Sequence, residues 1–229
     1  MGWRVCVGRD AEIRGERMKA VLLPIWPQYC ELIANGKKTV EVRKTRPKLE
    51  TPFKCYIYCT ACKSFYSIGC IRYGEDELYR IPNGKIKYGT SVELMCYDDG
   101  EYGPDNFLNR KVIGEFVCDN IKCITPVNFV VKEDAERALL GSCLTPKQAK
   151  EYAGWKPGTW LSECKDLYSW HISDLVIYDK PKELREFRGL CKYMGRDCCA
   201  CPYYDYSIMD CKARTIKRPP QSWCYVEIA

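Results

Sequence analysis

Strand-length apolar runs recur along this chain, and no run is long enough to build anything larger than a short strand or a short helix. Residues 19–23, 54–60, 67–72, 91–97, 112–121, 170–178 and 223–228 all read as strands. Turn signals such as Asn83-Gly84, Asp98-Asp99-Gly100 and Gly103-Pro104 separate them. Helical patterns are few. Pro27 suits a first helical position and Gly36 the left-handed residue just past a helix end, with Trp26, Cys30, Ile33 and Ala34 as one apolar face. Thr145-Pro146-Lys147-Gln148 is a capping box that opens a second helix stopped by Gly154, and residues 133–140 read as a third. Many short strands with two or three short helices predict an α+β chain built on a mixed β-barrel with helical decoration.

Length and composition fit one such unit. The 229 residues are enough to bury a core without covalent staples, and 46% hydrophobic residues is ordinary for a globular chain. No apolar run approaches the ~18–20 residues of a membrane-spanning helix. Seventeen cysteines would suit a secreted disulfide framework. The number is odd, however, residues 1–17 carry four arginines and no apolar signal segment, and Cys55 and Cys59 alternate within a strand like small hydrophobes. These features predict a reducing cytoplasm. Four units follow along the chain: an extension over 1–17, the barrel over 18–185, a cysteine-rich basic insertion over 186–219, and a closing strand over 220–229. That strand is expected to join the sheet begun by residues 18–23.

The net charge is +6, and its distribution says more than its size. Residues 37–48 hold six cations against one acid, Glu41, and residues 188–218 hold seven against three. Concentrations of this kind suit a phosphate-bearing partner. Within the first, a helix end delivers Lys37 and Lys38 into a turn, and the next strand alternates so that Thr39, Glu41 and Arg43 share a face. An ammonium, a carboxylate and a guanidinium then meet near one barrel edge. Arg and Lys can hold phosphate while Glu41 orients a base edge or activates a water; alternatively, Glu41 and Arg43 are a surface ion pair. His171, the only histidine, alternates with Trp170 and is placed either at the cleft or in the core. Trp26, Trp170, Trp223 and Tyr225 are candidates for a base-stacking platform.

The insertion carries a second constellation, Cys191, Cys198, Cys201 and Cys211, with Cys198 and Cys201 as a C-x-x-C knuckle. Four thiolates in a segment without its own core suit one structural zinc, with an iron–sulfur cluster or free thiols as alternatives. The other C-x-x-C pair, Cys59 and Cys62, is explained by the strand pattern alone.

A proline-containing helix followed by Gly36-Lys37-Lys38-Thr39-Val40-Glu41-Val42-Arg43 resembles the signature of ASCH domains, a branch of the PUA-like superfamily. Residues 54–60, 112–118, 170–175 with Lys180-Pro181, and 220–226 resemble phage and gut-bacterial members in the same order. The resemblance implies a PUA-like barrel and a ligand of RNA or nucleotide type, bound through Lys37, Lys38, Glu41, Arg43 and His171. Small bacterial relatives hydrolyse acetylated cytidine with a lysine, a threonine and a glutamate. Their lysine falls on Lys38 and their threonine on Glu41, which has no hydroxyl to offer. For their glutamate, Glu133, Glu136 and Glu151 are candidates. An enzyme acting on modified nucleosides or RNA would use Lys38 and Glu41 as its reacting pair. A third class, a regulatory module, would dock a protein partner through the insertion.

Overall fold

The computed structural model describes residues 19–60, 66–73, 77–79, 91–96, 109–190, 203–205, 207, 210–211 and 214–227. In chain order these hold β1 (Lys19–Ile25), α1 (Pro27–Ala34), β2 (Val40–Arg43), β3 (Phe53–Cys59), β4 (Tyr66–Tyr73), β5 (Glu77–Tyr79) and β6 (Ser91–Cys96). They continue as β7 (Lys111–Cys118), β8 (Ile121–Ile124), α2 (Lys132–Ala138), α3 (Pro146–Ala153), β9 (Leu167–His171) and β10 (Ser173–Glu183). The last three strands are β11 (Tyr204–Asp205), β12 (Asp210–Cys211) and β13 (Cys224–Glu227). The expected α+β class holds. None of the described helices is long and apolar enough to cross a membrane.

The main sheet has the order β10-β7-β3-β1-β13, and a second runs β2-β9-β8. Among the described strands only β1 and β3 pair in parallel, with α1 in the connection between them. The C-terminal strand closes the edge as expected, with Lys19 opposite Glu227 and Leu22 opposite Cys224. One core, including Leu23, Ile57, Phe116 and Trp170, fills the space between the two sheets. Trp170 is wholly buried and meets Phe53 edge-on at 5.8 Å. A second cluster covers the outer face of the main sheet, where Phe187 packs edge-on against Tyr56 at 4.8 Å. A third lies beyond the small sheet, joining Val42, Ile124 and Leu167 to α2 and α3 through Ala135 and Ala149.

Two runs read as single strands are each divided. Asp119 and Asn120, residue types that turns favour, carry the chain from β7 to β8. The break at Ile172 lets β9 end in the small sheet and β10 begin in the large one, with Asp174 at φ 45°. These breaks pass the chain between the two sheets, which share one core. The helix ends follow their expected chemistry: Gly36 has φ 67°, and Thr145 caps α3 by accepting from the Gln148 N–H at 3.2 Å. Trp26 departs from the expected apolar face. It stands at the cap of α1, 63% exposed, while Cys30, Ile33 and Ala34 are buried.

Candidate nucleic-acid interface

The alternation of β2 places Glu41 and Arg43 on one face, and the register decides which face that is. Glu41 lies opposite Trp170 and Arg43 opposite Tyr168, so both turn toward the core between the sheets. Val42 faces the third cluster instead. As a result Lys38, Glu41 and Arg43 are 2%, 7% and 8% exposed. They form a buried triad. Lys38 Nζ lies 3.3 Å from Glu41 Oε2 and donates to the Ser142 carbonyl at 2.6 Å. Arg43 Nε lies 2.9 Å from Glu41 Oε1, an ion-pair contact with its N–H turned off the line to that oxygen. The remaining guanidinium nitrogens donate to the carbonyls of Pro24 at 2.7 Å and Ser222 at 3.2 Å.

One carboxylate thus serves two cations, and backbone carbonyls take most of the other donors. A buried charge group of this kind is tolerated only when its members are paired and hydrogen-bonded. The loop 141–143 supplies part of that pairing. The Gly141 carbonyl accepts from the N–H groups of Thr39 and Val40 at 2.9 and 3.1 Å. Gly141 has φ 78°, and a Cβ there would overlap Thr39 Oγ1, so both conformation and space call for glycine. Tyr29 stacks under Lys38 at 5.1 Å, and Tyr152 under Lys44 at 4.7 Å. Burial, and then the Glu41 charge, raise the Tyr29 hydroxyl pKa above its usual value. Burial raises Tyr152 as well.

The other cations of residues 37–48 are on the outside. Lys37, Lys44, Arg46 and Lys48 are exposed, while Pro47 is buried and Leu49 packs against the main core. Residues 46–50 therefore alternate out and in like a strand, although Pro47 hides the pattern from a strand reading. This arm forms one wall of an open groove of about 480 Å³, and Asn120 and Ile121 form the other. The side chains of Arg46, Lys48, Glu50 and Asn120 have no hydrogen-bond or ion-pair partner among the described residues. Two contacts from the C-terminal segment hold the arm. Trp223 Nε1–H donates to Thr45 Oγ1 at 3.0 Å, and the Lys48 N–H donates to the Tyr225 hydroxyl at 2.7 Å.

The structure separates His171 from the triad. It lies opposite Val40, on the other face of the small sheet from Glu41. Its ring is half-exposed, with Nδ1 2.6 Å from Asp119 Oδ1, and this contact holds the Asp119 pKa below the usual carboxylate value. The proposed stacking aromatics divide in the same way. Trp170 is core, Trp223 and Tyr225 are half-buried and latch the arm, and Trp26 alone is largely exposed. Cys191, Cys198 and Cys201 lie outside the described residues, as do residues 1–17. Cys211 is buried in the β11–β12 ladder. Among the described residues no group of three potential metal ligands comes together. Glu133 and Glu136 lie on α2 and Glu151 on α3, and all three are exposed.

No family model matches the chain, and no curated protein matches it in sequence. Solved structures similar to it include the ASCH protein of Zymomonas mobilis, at 14% identity and a TM-score of 0.41 over 90% of this chain and 86% of that one. A serine-to-alanine variant of that protein gives 15% identity and a TM-score of 0.47 over 91% and 89%. A tyrosine-to-phenylalanine variant gives 15% and 0.41 over 72% and 76%.

Proposed function

We propose that this chain is an RNA-binding module whose contact surface is the exposed part of residues 37–48 and the groove beside it. The observation that carries this reading is the division of the cations. Lys38 and Arg43 are engaged with Glu41 and with backbone carbonyls, whereas Arg46 and Lys48 stand on an open groove without an ion-pair partner among the described residues. Unpaired cations along an open groove suit a polyanion, because each phosphate neutralised releases condensed counterions. The motif resemblance to ASCH domains supports RNA as that polyanion. In this reading the triad supports the surface from beneath and does not itself grip phosphate.

The test is titration of a fluorescein-labelled unpaired RNA octamer at two or more salt concentrations. Arg46→Ala and Lys48→Ala should each weaken binding by roughly tenfold and reduce the salt slope by about one. Equal binding by the parent and a double Arg46→Ala, Lys48→Ala variant would remove the groove from the function. A second reading, a hydrolase of modified nucleosides or RNA, rests on the 3.3 Å approach of Lys38 to Glu41. It requires turnover that disappears in a folded Glu41→Gln variant while binding survives.

A further inference from the structure

The groove has more than cations in it, and its remaining lining says what portion of a nucleic acid it takes. Leu49 and Ile121 line it, and both also pack against the main core, so they form a fixed apolar surface. Arg46 and Lys48 stand on the arm beside that surface, and Asn120 stands on the facing wall. Asn120 is held by its backbone: its carbonyl accepts from the His171 N–H at 2.9 Å. Its side-chain amide is exposed and unpartnered among the described residues, with a donor and an acceptor side by side. Glu50 adds one negative charge to the arm, which suits ribose hydroxyls and disfavours a second phosphate.

We propose that the groove holds one unpaired nucleotide of an RNA strand. Its phosphate rests on Arg46 and Lys48, its base on Leu49 and Ile121, and its base edge is read by the Asn120 amide. About 480 Å³ lies within the range of small-ligand sites and admits one nucleotide, and a base paired in a duplex has no free edge or face to present there. This inference rests on the RNA-binding reading above and adds to it the unpaired nucleotide and the residue that selects it.

The experiment is competition by the four nucleoside 5′-monophosphates against the labelled unpaired octamer, with the same octamer in duplex form as a second ligand. The groove predicts that monophosphates displace the octamer with unequal strength, and that the duplex binds at least tenfold more weakly than the single strand. Asn120→Ala should weaken octamer binding by about threefold to tenfold and flatten the ranking of the four to within about threefold. Asn120→Asp offers two acceptors and should move the preference toward guanine, whose neighbouring N1–H and N2–H groups are both donors. Only the Asn120 side chain is changed and its carbonyl is retained, so both variants keep the turn that positions it. Octamer binding with an unchanged ranking in both variants, or equal affinity for duplex and single strand, would overturn the nucleotide site and leave the RNA-binding reading standing. No octamer binding at low salt would overturn both.

Discussion

Lys38 and Arg46 are eight positions apart and carry the same charge, yet they have opposite roles. Lys38 Nζ is buried against Glu41 and the Ser142 carbonyl, while Arg46 is exposed on the groove with no ion-pair partner among the described residues. Lys38→Ala takes one of its two cations from Glu41, leaving Arg43 as its partner, and takes the donor from the buried Ser142 carbonyl, and each charge-assisted hydrogen bond of this kind is worth on the order of 1.5–3 kcal/mol. Lys38→Ala should therefore lower unfolding stability by several kcal/mol, read by chemical denaturation. Arg46→Ala should change it by less than about 0.5 kcal/mol. Equal stability losses in the two variants would mean that Lys38 is not held as described.

At the scale of elements, the positions of the strands and helices were legible, and their corners were not. Pro27, Gly36 and the Thr145–Gln148 box marked α1 and α3 because end chemistry is local. The turns at Asp119-Asn120 and at Ile172 were missed, since each interrupts an apolar pattern for only one or two residues. The shared face of Glu41 and Arg43 was also readable, but which side faced inward was not. Period-two alternation assigns two faces without saying which is buried. The deciding partners of Arg43, the carbonyls of Pro24 and Ser222, lie 19 and 179 positions away. The arm had a readable signal in the out-and-in pattern of Arg46-Pro47-Lys48-Leu49-Glu50, masked by its proline. Because the arm is latched by β13, Tyr225→Phe tests the latch directly. Loss of the acceptor for the Lys48 N–H should weaken octamer binding by about threefold to tenfold with little change in stability. Unchanged affinity would show that the arm is held by its apolar anchors, Pro47 and Leu49, alone.

Across the whole molecule, charge is also used to fasten strands. On the outer face of the main sheet, Glu115 of β7 meets Lys54 Nζ of β3 at 2.7 Å and accepts from the Tyr178 hydroxyl of β10 at 2.5 Å. Burial works against ionising Glu115, but the Lys54 and Tyr178 hydrogen bonds outweigh it, and its pKa is lowered. A carboxyl with a depressed folded pKa adds stability above its unfolded pKa, near 4.3, and loses it as pH falls through the folded value. Stability should thus fall below about pH 4, and Glu115→Gln should remove about 1 kcal/mol at pH 7 and flatten that acid limb. An acid limb of the same steepness in the variant would assign it to other carboxylates. The cysteine spacing of the insertion makes a separate prediction, one zinc per chain by elemental analysis. The metal should be lost on replacing Cys198 and Cys201 together by serine, and metal-free protein from a chelator-free preparation would refute it.

The pairing of β1 with β13 also sets an order of events during synthesis. Lys19 and Glu227 are opposite one another in the sheet, so β1 leaves the ribosome long before its edge partner exists. The same late segment supplies Ser222 to Arg43, Trp223 to Thr45 and Tyr225 to Lys48. Until residues 222–227 emerge, the nascent chain has an open sheet edge, an incompletely bonded guanidinium and an unfastened arm. A ribosome stalled short of that segment therefore displays a chain whose groove is not yet fastened, however much of the remaining core has formed.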